Sequence, residues 1–297
     1  MNPITSKLPQ VGTTIFTTMS AMAAEVGAIN LSQGFPDYDC SPELIELINK
    51  AMRDGHNQYA PMAGVLSLRE EIAKKVEKLY GGKYDPVTEI TITSGGTQAV
   101  FTAISAVINP NDEVIVFEPA FDCYAPAIKL MGGVVKSLEL NPPDYRIPWD
   151  MVKKLVSSKT RLIILNSPHN PTSTILHKED IDELSAIVKN QDILILSDEV
   201  YEHLIYDGET HQSMARYPEL QQRSFIVASF GKLFHATGWK VGYCLAPAFL
   251  MEEFRKVHQF LVFSVNSPMQ YAFAEYLKND HVYTDLPSFF SAKKRLF

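Results

Sequence analysis

The sequence is poor in cysteine. Only Cys40, Cys123 and Cys244 occur among its 297 residues, far apart and with no Cys-x-x-Cys pair. An odd, scattered set excludes a disulfide framework and a cysteine-rich zinc site, and fits reduced thiols in a cytoplasmic protein that binds no metal. Long hydrophobic runs are missing as well. The most apolar stretch, Val241 to Met251, is shorter than the roughly 20 residues that span a bilayer, so no membrane partner is expected. The N-terminal MNPITSKLPQVGTTIF lacks the charged-then-apolar order of a signal peptide. Without one, the sequon Asn30-Leu31-Ser32 reads as chance. Nor is there a block of positive charge. Lys and Arg total 27 against 34 Asp and Glu, a net charge of −7, which argues against nucleic acid as a partner.

What is present is an alternation of two periods. Short apolar, β-branched runs predict strands at Glu89–Thr93, Glu113–Phe117, Arg161–Leu165, Asp192–Ser197, Phe225–Ser229 and Val241–Leu245. Several are continuously apolar, as expected of strands covered on both faces. Helical spacing occurs before the first of them, at Leu66–Leu79, and between later ones, at Glu179–Val188, and Ser41-Pro42-Glu43 has the form of a helix start. Strand and helix in alternation imply right-handed crossovers and a mostly parallel α/β sheet. The segment through about Pro36 reads as loop and helix wrapped around the main domain. In such sheets ligands bind where the strands end, so the residues just after each run are the place to look for chemistry.

Ser94-Gly95-Gly96-Thr97-Gln98 follows the first strand and opens a helix. A glycine turn at a helix N-terminus offers free N–H groups to a phosphate, although such turns recur in any parallel α/β fold. The patterns GxGxxG and GxxxxGK[ST] are absent there, which disfavours a dinucleotide or nucleoside triphosphate. Phe121, after the second strand, is either core or a plate for a flat ring. Asn170, in SPHNPT, is a turn former or an amide donor. Asp198, in SDEVY, is a helix cap or a fixed anion facing a cationic ligand atom. Lys232, in SFGK, is a surface cation or an amine nucleophile whose pKa is lowered by burial. Lys240 is a candidate anion binder. Taken together, a phosphate cradle, an aromatic plate, an amide, a buried carboxylate, a tyrosine and a reactive lysine at successive strand ends are what a pyridoxal-phosphate site requires.

At this point the sequence resembles a known family, the class I/II pyridoxal-phosphate aminotransferases of fold type I. LSQGFPD (31–37), NQYAPMAG (57–64), TSGGTQA (93–99), EPAFDCY (118–124), LNSPHNPT (165–172), SDEVYEHL (197–204) and SFGKLFHATGWKVGY (229–243) carry the resemblance. Within the family it is most similar to the kynurenine/glutamine transaminase group, and there to the bacterial methionine aminotransferases. The resemblance implies a three-layer α/β/α domain on a mostly parallel seven-stranded sheet, with an incomplete small α+β domain. It divides the chain into an N-terminal arm with part of the small domain (1–44), a large cofactor-binding domain (45–280) and the start of a second segment of the small domain (281–297).

The resemblance also assigns roles. Lys232 would form the Schiff base with the cofactor aldehyde, and Asp198 would pair with the pyridine nitrogen. Tyr201 and Asn170 would hydrogen-bond the ring hydroxyl, and Phe121 would stack on the ring. Gly96 and Thr97 would give N–H groups to the phosphate, with Ser229 and Lys240 completing its shell. Relatives often have arginine where Lys240 stands. Tyr59 would reach the phosphate of a neighbouring subunit, which implies a homodimer with a shared active site. Gly34 and Phe16 would contact the substrate. The implied reaction is ping-pong transamination between methionine, or another large apolar or aromatic amino acid, and a 2-oxo acid. Kynurenine/glutamine transamination and β-elimination from cysteine S-conjugates are the alternatives within the group. The family's carboxylate-binding arginine near the end of the small domain has no counterpart here, and Leu286 to Phe297 reads as a helix in mid-course. The expectation is a truncated chain that binds cofactor but handles amino acids poorly.

Overall fold

The computed structural model describes residues 4–32, 34 and 39–296. The chain forms two compact units, Met1–Asp39 and Cys40–Phe297. The first contains helix α1 (Ile15–Val26), started by the Thr14 side chain accepting from the Thr17 N–H and closed by Gly27 in the left-handed region at φ 64°. This bears out the reading of loop and helix before the first strand. Pro36 itself lies outside the described residues.

The second unit is built on a seven-stranded sheet. Its strands are β1 (Ile90–Thr93), β2 (Glu113–Glu118), β3 (Val134–Glu139), β4 (Thr160–Asn166), β5 (Leu194–Asp198), β6 (Ser224–Ser229) and β7 (Gly242–Leu245). Their spatial order is β1-β7-β6-β5-β4-β2-β3. Strand β7 runs antiparallel to both neighbours, β1 and β6, and the other pairings are parallel. The carboxyl ends of the remaining strands therefore share one edge, and β7 begins at that same edge.

The central strands alternate their apolar side chains between two buried layers, because successive Cβ atoms point to opposite faces. Ile163 and Leu165 of β4 join one layer with Ile195 and Ile226. Leu162 and Ile164 join the other with Leu196 and Val227. Helices α2 (Pro42–Arg53), α3 (Leu66–Tyr80), α6 (Trp149–Leu155), α7 (Lys178–Val188) and α11 (Ser267–Tyr276) contribute to the first layer. Helices α4 (Gly95–Val107), α5 (Tyr124–Leu130) and α10 (Ala248–Leu261) close the second. Each fully buried Leu, Ile or Phe in these layers contributes about 1.5–3 kcal/mol relative to exposure. Short helices α8 (Pro218–Gln221) and α9 (Phe230–Leu233) flank β6, and α12 (His281–Thr284) and α13 (Leu286–Lys294) follow α11.

The expected strands and helices are all present, with ends displaced by a residue or two; of the stretch read as helix from Leu286 to Phe297, α13 covers Leu286–Lys294 and is capped at Arg295, and Phe297 lies outside the described residues. One strand escaped the sequence reading. Strand β3 lies at the sheet edge and has only exposed and half-buried positions. Its sequence, VVKSLE, has the polar content of an edge strand rather than a buried one. Lys136 pairs with Glu113 of β2 at 3.2 Å and the Ser137 hydroxyl donates to Glu118 at 2.8 Å.

Candidate active site

The site forms where the strands end. Register places Asn166 of β4 beside Asp198 of β5, Ser229 of β6 beside Gly242 of β7, and Thr93 of β1 beside the same Gly242. Residues far apart in sequence become neighbours through this order.

Asp198 is the last residue of β5 and is 4% exposed. The Tyr124 hydroxyl donates to its Oδ2 at 2.7 Å, and the Val200 N–H donates to Oδ1 at 3.3 Å. Burial pushes the Asp198 carboxyl up to about 6, with the Tyr124 and Val200 bonds and the Lys232 charge opposing it. The Asp198 carbonyl accepts from the Asn166 amide at 2.9 Å and from the Ser167 N–H at 3.1 Å. Asn166 Oδ1 in turn accepts from the Asn170 N–H at 2.7 Å. The loop carrying Asn170 is thus stitched to the end of β5.

Lys232 sits in α9, immediately after β6, and is half-buried. Its Nζ lies 5.4 Å from the centroid of the Tyr201 ring. Burial and the nearby Lys240 charge lower its pKa, and Asp198 works the other way. The lowered pKa agrees with the sequence expectation for a lysine buried at a strand end, and the Lys240 charge adds a second cause. Lys240 holds the left-handed region at φ 54° and ψ 51°. This brings its ammonium to the start of α4: a Cβ added at Gly95 would lie 3.5 Å from Lys240 Nζ. Gly95 also has a positive φ, 77°, which a side chain would resist. The N–H groups in the first turn of α4, Gly96 and Thr97 among them, have no partner within the helix. A Cβ on Gly96 would approach Ser229 Cβ at 3.9 Å. Gly96, Thr97, Ser229, Lys240, Lys232 and Asp198 therefore converge, and together they present a positive end and a negative end.

Phe121 is half-buried and meets Tyr124 edge to face at 5.8 Å. Asn170 and Tyr201 line one open cavity of about 400 Å³. Tyr59 is 80% exposed and packs edge to face on Phe263 at 5.2 Å. Its loop is pinned by Ser267, whose hydroxyl donates to the Gln58 carbonyl at 2.5 Å, and by Ser264, which donates to Ala60 at 2.9 Å. Within this chain Tyr59 points outward. Phe16 and Gly34 lie in the first compact unit, Phe16 half-buried on α1 and Gly34 exposed. Among the described residues no group of side chains is arranged to hold a metal ion, and no helix is long and apolar enough to cross a membrane.

The family profile "Aminotransferase class I and II" matches residues 26–295. The chain is a class I and II aminotransferase. It is 50% identical over 290 residues to methionine aminotransferase of Escherichia coli strain K12, covering 97% of this chain and 75% of that relative. Its backbone superposes on the crystal structure of an Escherichia coli protein with a methionine aminotransferase function at a TM-score of 0.95, with 48% identity over 99% of this chain and 77% of that one. Mouse kynurenine–oxoglutarate transaminase 1 is 34% identical over 281 residues, 90% of this chain and 66% of the relative. The resemblance stated from the motifs is borne out, and so are the fold class and the aminotransferase assignment.

Several residues at or just after these strand ends were not singled out from sequence. Tyr124 and Asn166 contact Asp198 directly. Glu199 is buried and accepts from Ser197 at 2.8 Å, the Met214 N–H at 3.0 Å and His211 at 2.9 Å. Glu202 pairs with Lys75 at 2.6 Å. The signal for the last two was available: acidic residues clustered after a buried strand demand partners. For Tyr124 the only hint was its position one helical turn beyond Phe121.

Proposed function

We propose that this aminotransferase holds pyridoxal 5'-phosphate at the convergent strand ends and transfers the amino group of methionine, or of another large apolar or aromatic amino acid, to a 2-oxo acid. The observation that carries the proposal is the joint placement of Lys232, Asp198, Lys240 and the first turn of α4 at one sheet edge. The donor set fits the cofactor. A buried carboxylate raised by desolvation suits a cationic ring nitrogen, and a glycine-started helix beside a lysine suits a phosphate. The substrate class follows from the 50% identity to methionine aminotransferase of Escherichia coli.

When bound, the cofactor supplies an aldehyde for amines and a ring that withdraws electrons from the substrate Cα. In this reading Lys232 is the amine that holds the cofactor covalently. The Lys232 amine, with its lowered pKa, would be suited to move the proton at the substrate Cα as general base and acid. Asp198 keeps a proton on the ring nitrogen. Asn170 and Tyr201 would donate to the cofactor's ring hydroxyl, and Phe121 would pack on its ring. Gly96, Thr97, Ser229 and Lys240 would hold the phosphate. Lysine at 240 supplies charge without the bidentate fork of arginine.

The exposed Tyr59, on a loop bonded at Gln58 and Ala60 by Ser267 and Ser264, supports a homodimer in which it would reach the neighbouring subunit's phosphate. Gly34 and Phe16 are proposed substrate contacts. The division at 1–44, 45–280 and 281–297 is retained as the proposed domain organisation, and the cytoplasm as the proposed compartment.

Lys232→Ala tests the assignment. It is expected to abolish transamination of methionine and to remove the absorbance band that depends on the lysine–cofactor bond. A variant that keeps both would overturn it.

A further inference from the structure

Residues 118–124, Glu-Pro-Ala-Phe-Asp-Cys-Tyr, leave β2 and turn into α5. The turn places Phe121 and Tyr124 in edge contact, 5.8 Å apart with rings inclined by 77°. Tyr124 is only 3% exposed. A buried phenol needs a hydrogen-bond partner, and Tyr124 finds it across the sheet at Asp198 Oδ2, 2.7 Å away. Among the described residues the second carboxylate oxygen accepts only the longer 3.3 Å bond from Val200. It therefore has acceptor capacity left for a ligand.

The surroundings decide what the tyrosine does. Cys123 and Tyr124 face Asp198 from the start of α5, Glu199 and Tyr201 from the loop after β5, and Lys232 from α9. Burial and Glu199 favour the neutral acid, and Lys232 and the Tyr124 hydroxyl favour the anion. Burial and the Asp198 charge hold the Tyr124 phenol well above its ordinary pKa, so it remains a donor throughout the working range. Burial raises the Cys123 thiol as well, so no thiolate competes.

We propose that Tyr124 is a positioning residue of the transamination reaction: its hydroxyl fixes the rotamer of Asp198 and keeps that carboxylate ionised, so that the other oxygen is presented to the cofactor's ring nitrogen. The proposal rests on the reading of Asp198 given above. It also explains why one short turn carries both Phe121 and Tyr124: the first addresses the ring face and the second sets the group that addresses the ring edge.

The test uses holoenzyme of four forms: the parent, Tyr124→Phe, Asp198→Asn and the double variant. In the parent background, loss of the hydroxyl should lower kcat by on the order of tenfold or more, as for a hydrogen bond to a charged group, with KM changing little. Removing a donor to the anion raises the carboxyl further, so the acid limb of kcat should move to higher pH. With ¹⁵N-labelled pyridoxal phosphate, the ring nitrogen should lose its proton at lower pH in Tyr124→Phe than in the parent. Cofactor dissociation constants complete the cycle. The tyrosine change should weaken binding about tenfold when Asp198 is intact, and less than about twofold in the Asp198→Asn background, where there is no charge to hold. A tyrosine that merely fills space would lower the melting temperature and weaken binding equally in both backgrounds. Equal losses, or an unchanged nitrogen titration in Tyr124→Phe, would overturn the proposal. Full activity in Asp198→Asn would overturn instead the reading of Asp198 on which it rests.

Discussion

Lys75 of α3 closes a 2.6 Å ion pair on Glu202, in the loop that also carries Tyr201 and follows Asp198, and both side chains are withdrawn from water. Tyr80 and Tyr243 add their hydroxyls to the same carboxylate. The pair fastens the loop to the helix layer beneath it. Burial alone would raise the Glu202 carboxyl, yet Lys75, His203 and Tyr80 bring it down to about 2. Glu202→Gln leaves a buried cation uncompensated and is expected to cost about 3–5 kcal/mol at neutral pH. Because the carboxyl is depressed in the fold, its stabilisation is complete above the ordinary carboxylate range and is lost as pH falls toward about 2. Denaturant melts of parent and variant should therefore converge in acid. A gap that stays constant from pH 7 to pH 3 would contradict the assignment.

Asp198 has the opposite sign. Its carboxyl rises from 3.8 to about 6 in the fold, so the ionised form is disfavoured there. The penalty is absent below the ordinary value and complete above about 6. With both forms buried, Asp198→Asn should stabilise the cofactor-free protein by about 3 kcal/mol at pH 8, while abolishing transamination. The gain should fade as pH falls toward 4. Thermal unfolding at two pH values together with an activity assay checks both halves.

Gly242 begins β7 where Ser229 and Thr93 meet it. A Cβ there would stand 2.7 Å from the Ala228 carbonyl oxygen, 3.0 Å from Gly95 C and 3.1 Å from Gly96 N. Gly242→Ala must push the first turn of α4 outward. A loss of about 1–3 kcal/mol in stability is expected, accompanied by weaker cofactor binding in fluorescence titration. Unchanged binding would show that the turn is not the phosphate cradle.

The Lys240 ammonium lowers the pKa of Lys232, second only to burial. Lys240→Gln should move the reactivity of Lys232 toward amine reagents to higher pH and weaken phosphate binding, whereas Lys240→Arg should preserve both. The pH dependence of labelling in the cofactor-free protein, followed by peptide mass spectrometry at Lys232, provides the measurement.

Much of this was legible beforehand. Buried strands such as RLIIL and DILIL declare themselves because both faces exclude polar residues, and the residue after each is then marked by position alone. Strand β3 did not declare itself because an edge strand carries charge. Tyr124 did not because its partner is 74 residues away, and Lys75 did not because Glu202 lies 127 residues away. A lysine within a helical pattern reads as a solvated face until the fold shows what covers it.

The alternation of strand and helix, the chemistry available at each strand end and the family to which the chain belongs all follow from the order of residues alone. The first two are local properties of composition and spacing, and the family is carried by the motifs. Which ends meet was settled only in three dimensions: β7 turns back between β1 and β6, so that Lys240 enters beside Gly95 and Lys232, and α5 lays Tyr124 against Asp198. Sheet order and helix docking are set by the sum of many long-range burials, and no single segment's periodicity encodes them.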